Sequence, residues 1–290
     1  MANLRAIRKR ISSVKSTQQI TRAMKMVSAA KLRRAQDAIV AARPYAKKMR
    51  EVVRAVAARV DASAHPALAP REGKKLALLV VTSDRGLCGS FNAGLTRQAF
   101  RFIAEQKAKY EEISLFVVGR KGRDFFRRRE IAIRKEYLGV LGSINRGHAE
   151  TMSKDLVDGF LAGDFDEVQV VFNEFRSAIS QVTRFETLFP LSLEKKEEQA
   201  GGADIDYLYE PGRKEILSNL LPRYVETQIF RVLLESVAGE HGARMTAMDS
   251  ATNNSVDMIA RLTLQMNRAR QATITTELTE IVSGAEALKG

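Results

Sequence analysis

The chain has 290 residues, a formal net charge of +13, 45% hydrophobic residues and a single cysteine, Cys88. That length supports a real core in one or two domains, and one cysteine excludes an intrachain disulfide framework and fits a reducing compartment. The basic surplus calls for an acidic partner: nucleic acid, an anionic membrane face or an acidic protein surface.

Residues 1–60 read as one long helix, without glycine and with one proline, Pro44. Leu4, Ile7, Ile11 and Val14 follow the 3-4-3 spacing of a coiled-coil seam. The seam weakens at Gln18, Thr21, Lys25 and Ser28 and returns at Met49, Val53, Val56 and Val60. Pro44 should kink or break the helix. Residues 1–54 hold 15 Lys or Arg against two acids, Asp37 and Glu51. Residues 1–36 contain no acid at all, a composition that a mitochondrial presequence shares. Residues 61–74, with two prolines, read as a linker.

From residue 75 to 193 the pattern changes. Leu76–Val81, the longest apolar run, reads as a buried strand. It is far shorter than the roughly 20 residues of a membrane-spanning helix. A glycine-bearing loop, Thr82–Ser90, leads to a helix from about Phe91 to Lys109. Ile113–Val118 is a second strand. A short basic helix near Gly122–Arg129 leads to a third strand at Ile131–Tyr137, and residues 150–162 form another helix. Val168–Phe172 and Thr183–Pro190 are further strands, the last an antiparallel edge. Strands alternating with helices predict an α/β layer with a mostly parallel sheet. Residues 194–212 form a charged excursion.

Residues 213–288 are helical again. Met245, Met248, Thr252, Ser255, Ile259, Leu262, Met266, Ala269, Thr273 and Thr276 alternate spacings of three and four, a seam of mixed polarity. Ile274, Leu278, Ile281, Ala285 and Leu288 form a second, more apolar stripe. Helices of about 55 and 70 residues would span about 80 and 105 Å, against a radius of gyration of about 19 Å for a compact globule of this size. The two end helices therefore pair as an antiparallel shaft with the α/β domain at its base.

Chemistry-bearing motifs are few. Gly86-Leu87-Cys88-Gly89-Ser90 matches neither dinucleotide nor P-loop signatures and reads as a tight strand-to-helix turn. Cys88 has no histidine nearby in sequence and reads as a small buried residue. His65, His148 and His241 are too scattered for metal-ligand spacing, so no metal, cofactor or catalytic residue is expected. A basic coiled-coil nucleic-acid binder fits the charge, but the basic arm has no aromatic residue before Tyr45 for base stacking. A nucleotide-dependent α/β enzyme lacks every phosphate motif. The methionines at helical spacing, Met24 and Met26 among them, read as packing residues. Arg268, Arg270 and Gln271 form either a solvated or a partner-facing patch.

Three stretches resemble one family. They are Ile7–Val27 (IRKRISSVKSTQQITRAMKMV), Thr82–Asn92 (TSDRGLCGSFN), and near the end Ala243–Met248 with Asn267–Thr275 and Glu277–Gly284. In this order they resemble the gamma subunits of F-type ATP synthases over essentially the whole chain. The resemblance implies an antiparallel coiled coil of the end helices, 1–60 and 213–288, around a Rossmann-like α/β domain, 75–193, that binds no nucleotide. It also implies that the basic start is structure and not a cleaved presequence, that the protein is bacterial, and that it sits peripherally on the cytoplasmic face of the inner membrane. With Cys88 alone, the chain cannot carry the regulatory cysteine pair of the family's plastid members.

The implied role is a non-catalytic rotor shaft inside a hexamer of α and β subunits, turned by a membrane c-ring through proton flow, with the epsilon subunit as a further partner and no nucleic acid. By position, Arg270 and Gln271 would hydrogen-bond an acidic catch loop of β, since Arg–carboxylate bonds are of the strong, charge-assisted kind. Met24 and Lys25 would lie at the level of β's acidic lever. Ile274, Leu278, Ile281 and Leu288 would fill the apolar sleeve at the top of the hexamer. Tyr207, Tyr209 and Glu210 would form the foot on epsilon and the c-ring.

Overall fold

The structure is a computed structural model that describes residues 4–57, 68, 71, 73–191 and 212–288. The chain divides into two compact units: residues 1–28 with 244–290, and residues 29–243. Two long helices contribute to both units, α1 (Leu4–Ala57) and α5 (Arg213–Ala287).

The larger unit is built on a five-stranded mixed sheet. Its strands are β1 (Lys75–Val81), β2 (Glu112–Val118), β3 (Ile133–Tyr137), β4 (Glu167–Ser177) and β5 (Ser180–Phe189), in spatial order β3-β2-β1-β4-β5. β1 pairs in parallel with β2 and with β4, β2 pairs in parallel with β3, and only β5 runs antiparallel, at the edge beside β4. Helices α2 (Phe91–Gln106), α3 (Arg120–Arg127) and α4 (Arg146–Ala162) connect the strands.

β1 shows why the sheet must be covered on both faces. Leu76 to Val81 are all fully buried. Its period of two sends Ala77, Leu79 and Val81 into one core, with α4 (Leu156, Phe160), the end of α1 (Val56, Ala57) and the start of α5 (Leu221, Val225, Ile229). Leu78 and Val80 face the other core, with Leu95 and Ala99 of α2 and Phe126 of α3. Each buried Val, Leu, Ile or Phe among them contributes about 2 kcal/mol on burial.

The strands and helices fall where the sequence pattern places them, with shifted ends. α4 starts at Arg146 because the Asn145 side chain caps it, accepting from the His148 amide at 2.9 Å. β4 runs on to Ser177, because Asn173–Ser177 extend the hairpin with β5.

Two expectations for α1 need correction. The seam does not lapse before Met49: Leu32, Ala35, Ile39 and Ala46 are all buried, and with Ala42, Met49, Val53 and Val56 they keep the 3-4 spacing. Alanines at seam positions conceal it in sequence, because they read as neutral surface residues. Of the two outcomes expected at Pro44, a kink or a break, the break does not occur: the helix continues through it. Pro44 is exposed, as is Val40 four residues earlier, so the Val40 carbonyl that loses its helical donor faces water.

In the smaller unit α1 and α5 run antiparallel. Ile7 and Ile11 are buried with Leu262, and Val14, Met266 and Ala269 pack against them. Further along, the Thr21 and Thr252 hydroxyls hydrogen-bond at 2.8 Å, and Lys25 Nζ donates to Asp249 Oδ1 at 2.6 Å.

Candidate functional surfaces

Open α/β sheets bind ligands beyond the carboxyl ends of their strands, where the strand order reverses. Here the reversal lies between β1 and β4, and along this end of the sheet the chain's own polar groups bond to one another. Thr82 Oγ1 donates to the Val118 carbonyl at 2.7 Å and accepts from the Gly122 amide at 2.8 Å. The Ser83 amide donates to Asn92 Oδ1 at 2.9 Å. Asn173 Nδ2 donates to the Phe91 carbonyl at 3.0 Å. α5 crosses this end so closely that a Cβ on Gly239 would stand 3.0 Å from the Phe91 ring.

The amides that could bind phosphate are also in use. Asp84 Oδ1 accepts from the amides of Arg120, at the start of α3, and Gly139, both at 3.1 Å. A carboxylate of the chain occupies the anion position that a helix N-terminus offers. The Gly86–Ser90 stretch is the tight turn its composition suggests: Leu87 and Gly89 have positive φ, and Cys88 is buried.

The surfaces left open lie on the long helices. Arg270 and Gln271 are exposed, and neither side chain bonds to another described side chain. Beyond them Ile274, Leu278 and Ile281 recur at helical spacing on one face of α5, and Leu288, one residue past its end, continues the spacing. Ile281 is 67% exposed and Leu288 90%, so nothing within the described chain covers this stripe. An exposed apolar stripe of this kind marks an interaction surface. Met24 is half-buried, and Lys25 is committed to Asp249. Tyr207, Tyr209 and Glu210 lie outside the described residues.

One surface was not anticipated from sequence. In the larger unit α1 and α5 border a groove of about 200 Å³, with an apolar floor of Ile39, Ala42, Ala46 and Leu234 and a basic rim of Arg43, Lys47 and Arg50. The floor consists of the seam alanines already noted, whose spacing was the available signal. Beside it lies a charge cluster. The Arg231 guanidinium bonds to Glu186, to Glu235 at 2.9 Å and to Gln228 at 3.1 Å, and Arg50 donates to the same Gln228 oxygen at 3.0 Å. Burial disfavours the Arg231 charge, but the Glu186 and Glu235 carboxylates outweigh it and hold the guanidinium above its ordinary range. Burial pushes the Glu235 carboxyl up, against Arg231, with Glu186 and Glu174 adding to the rise.

A family model described as ATP synthase matches residues 3–288. The chain is 52% identical over its full length, and that of the relative, to a protein of Trichlorobacter lovleyi named ATP synthase gamma chain. The chain belongs to the ATP synthase gamma chain family. The gamma chains of Geobacter metallireducens and an Anaeromyxobacter species are 54% and 53% identical, again with full coverage of both. Among solved structures, one of the Tetrahymena thermophila mitochondrial ATP synthase central stalk and c-ring superposes with a TM-score of 0.62 at 26% identity, covering 80% of this chain and 99% of that one. A chain of the Euglena gracilis mitochondrial ATP synthase superposes with a TM-score of 0.71 at 20% identity, covering 98% and 94%. At that identity the second likeness speaks to the gamma-chain fold alone. Among the described residues no helix is long and apolar enough to cross a membrane.

Proposed function

We propose that this gamma chain is the non-catalytic central rotor of a bacterial F-type ATP synthase, turning within a hexamer of α and β subunits and coupling ion flow to ATP synthesis. The observation that carries this reading is the full-length match to gamma chains. Mechanism then resides in surfaces. A shaft whose faces differ meets each β subunit differently, and a contact that discriminates between β conformations shifts their populations. The chain thereby drives each catalytic site through its states while making and breaking no bond itself.

Within this reading the exposed stripe of Ile274, Leu278, Ile281 and Leu288 turns in an apolar sleeve of the hexamer. Arg270 and Gln271, without side-chain bonds to other described side chains, engage a carboxylate-bearing loop of β. The basic surplus of α1, including the rim of the groove, complements acidic partner surfaces and loses strength as salt rises. Met24 and Lys25 stand at the level of β's lever, with the Lys25 charge already shared with Asp249. The foot residues Tyr207, Tyr209 and Glu210 serve the epsilon and c-ring contacts, which place the chain on the cytoplasmic face of the inner membrane.

The double variant Arg270→Ala with Gln271→Ala tests the catch. Proton-driven ATP synthesis in inverted membrane vesicles should fall by about tenfold, the equivalent of one charge-assisted hydrogen bond of about 1.4 kcal/mol. Unchanged synthesis at normal complex abundance would remove these residues from the β contact.

A further inference from the structure

The smaller unit has an apolar layer and a polar one, and the two do different work. An apolar seam of Ile, Val, Leu and Met on a seven-residue repeat buries well in more than one register, since a slip of one heptad exchanges one apolar residue for another. Opposite Ile11, which clusters with Leu262, a slip in one direction would bring Ala269. The polar layer does not tolerate the same shift. Thr21 is 7% exposed, and its hydroxyl meets that of Thr252 at 2.8 Å. Either hydroxyl can donate across the seam while the other turns back to its own helix, at the Gln18 or Met248 carbonyl. One turn along, Lys25 meets Asp249.

A slip of seven residues would put Thr21 opposite Ile259 or Met245, and Lys25 opposite Val256 or Gly242. In either case a buried hydroxyl loses its cross-seam partner and a half-buried ammonium loses its carboxylate, while apolar residues are set against polar ones. The hydroxyls can still fall back on the Gln18 and Met248 carbonyls of their own helices, so the cost of a slip lies in the lost cross-seam bond, the lost ion pair and the polar–apolar mismatches. We infer that Thr21–Thr252 and Lys25–Asp249 set the register of α1 against α5 in this unit, acting more through penalty on wrong pairings than through stabilisation of the right one. The Lys25–Asp249 pair itself is exposed enough (43% and 47% for the two side chains) that its own stabilisation is small.

Engineered disulfides in the full-length chain test this, with Cys88→Ser to remove the native thiol. One reporter joins Ile11→Cys to Leu262→Cys and reads the observed register. The other joins Ile11→Cys to Ala269→Cys and reads the slipped one. The ratio of their oxidation rates should strongly favour the first. Lys25→Asp, combined with Thr21→Val, should lower that ratio by about tenfold or more, the size expected for coupled neighbours. In the Lys25→Asp background, adding Asp249→Lys should restore the ratio to within about threefold of the parent, because the reversed pair carries the same register information. A ratio unmoved by the first variant overturns the inference. Where Lys25→Asp lowers helix content instead, the reciprocal swap decides. Recovery of helix and ratio together supports the inference, and failure to recover either overturns it.

Discussion

Gly119→Ala should destabilise the α/β unit by about 4 kcal/mol or more. Gly119 is the residue between β2 and α3, with φ at +88°, and a Cβ there would stand 2.3 Å from the Thr82 carbonyl oxygen and 2.8 Å from the Ser83 carbonyl carbon. These atoms are backbone, so no rotamer change can relieve the clash. The carbonyl cannot move freely either, since the Ser83 amide in the same peptide plane donates to Asn92 Oδ1 at 2.9 Å. Relief would require parting the ends of β1 and β2, where Thr82 and Asp84 close the ligand crevice. Gly163 is the natural control. Its φ of +82° is similar, but nothing lies within 4 Å of its Cβ position, so Gly163→Ala should cost only about 1 kcal/mol of backbone strain. Hydrogen exchange of the β1 and β2 amides reads both losses. Equal losses at the two sites would mean that conformation alone, and not the close approach to Thr82, makes Gly119 necessary.

That glycine illustrates what the amino-acid pattern could and could not disclose. The elements were legible because each obeys a single local rule: the two-residue period of Leu76–Val81, the 3-4 spacing at both chain ends, the change of character near residue 75. Three stretches of sequence pointed to the family. Features that depend on residues distant in sequence stayed hidden. Nothing near Asp84 announces that it caps α3 and Gly139, and nothing near Gly239 announces that Phe91 lies against it. The Lys25–Asp249 pair stayed hidden because its two members lie more than two hundred residues apart. The middle of the α1 seam was missed because alanine carries little hydrophobic signal, although in a closely packed helix pair a small side chain is what lets the backbones approach. The surfaces proposed for β rest on the family resemblance, and the structure adds that Arg270, Gln271 and the Ile274–Leu288 stripe are exposed.

The buried charge cluster yields the second large effect. Arg231→Met should cost about 3–5 kcal/mol at neutral pH, the range for removing one member of a buried ion pair. Arg231 is 18% exposed at its side chain, and it separates Glu186 from Glu235, itself only 14% exposed. Without the guanidinium two carboxylates share a poorly solvated space, and Gln228 loses one of its donors. The loss should shrink as pH falls, because protonation removes the repulsion. The parent protein carries a milder version of the same dependence. A carboxyl whose pKa is raised on folding binds its proton more tightly in the native state, so the stability tied to Glu235 is greatest at low pH. It is lost as pH rises from the ordinary glutamate value of about 4.3 through the raised one. Glu174 runs the opposite way. Burial opposes its charge, but hydrogen bonds from Arg184 and Arg176 outweigh burial and lower its pKa, so its contribution is lost as pH falls. Glu235→Gln should therefore flatten the decline above pH 4.3 and cost less than about 1 kcal/mol at pH 7.5, although it deletes an ion pair. Arg231 keeps Glu186, and the amide can still accept its hydrogen bond. Urea unfolding of the three proteins across pH 4.5–8 separates these effects. A loss of about 3 kcal/mol for Glu235→Gln at pH 7.5 would show that Glu235 is a fully ionised partner that Arg231 requires. A small loss together with a flattened profile would show that the cluster is held by Arg231 and Glu186, with Glu235 carried at the expense of its own solvation.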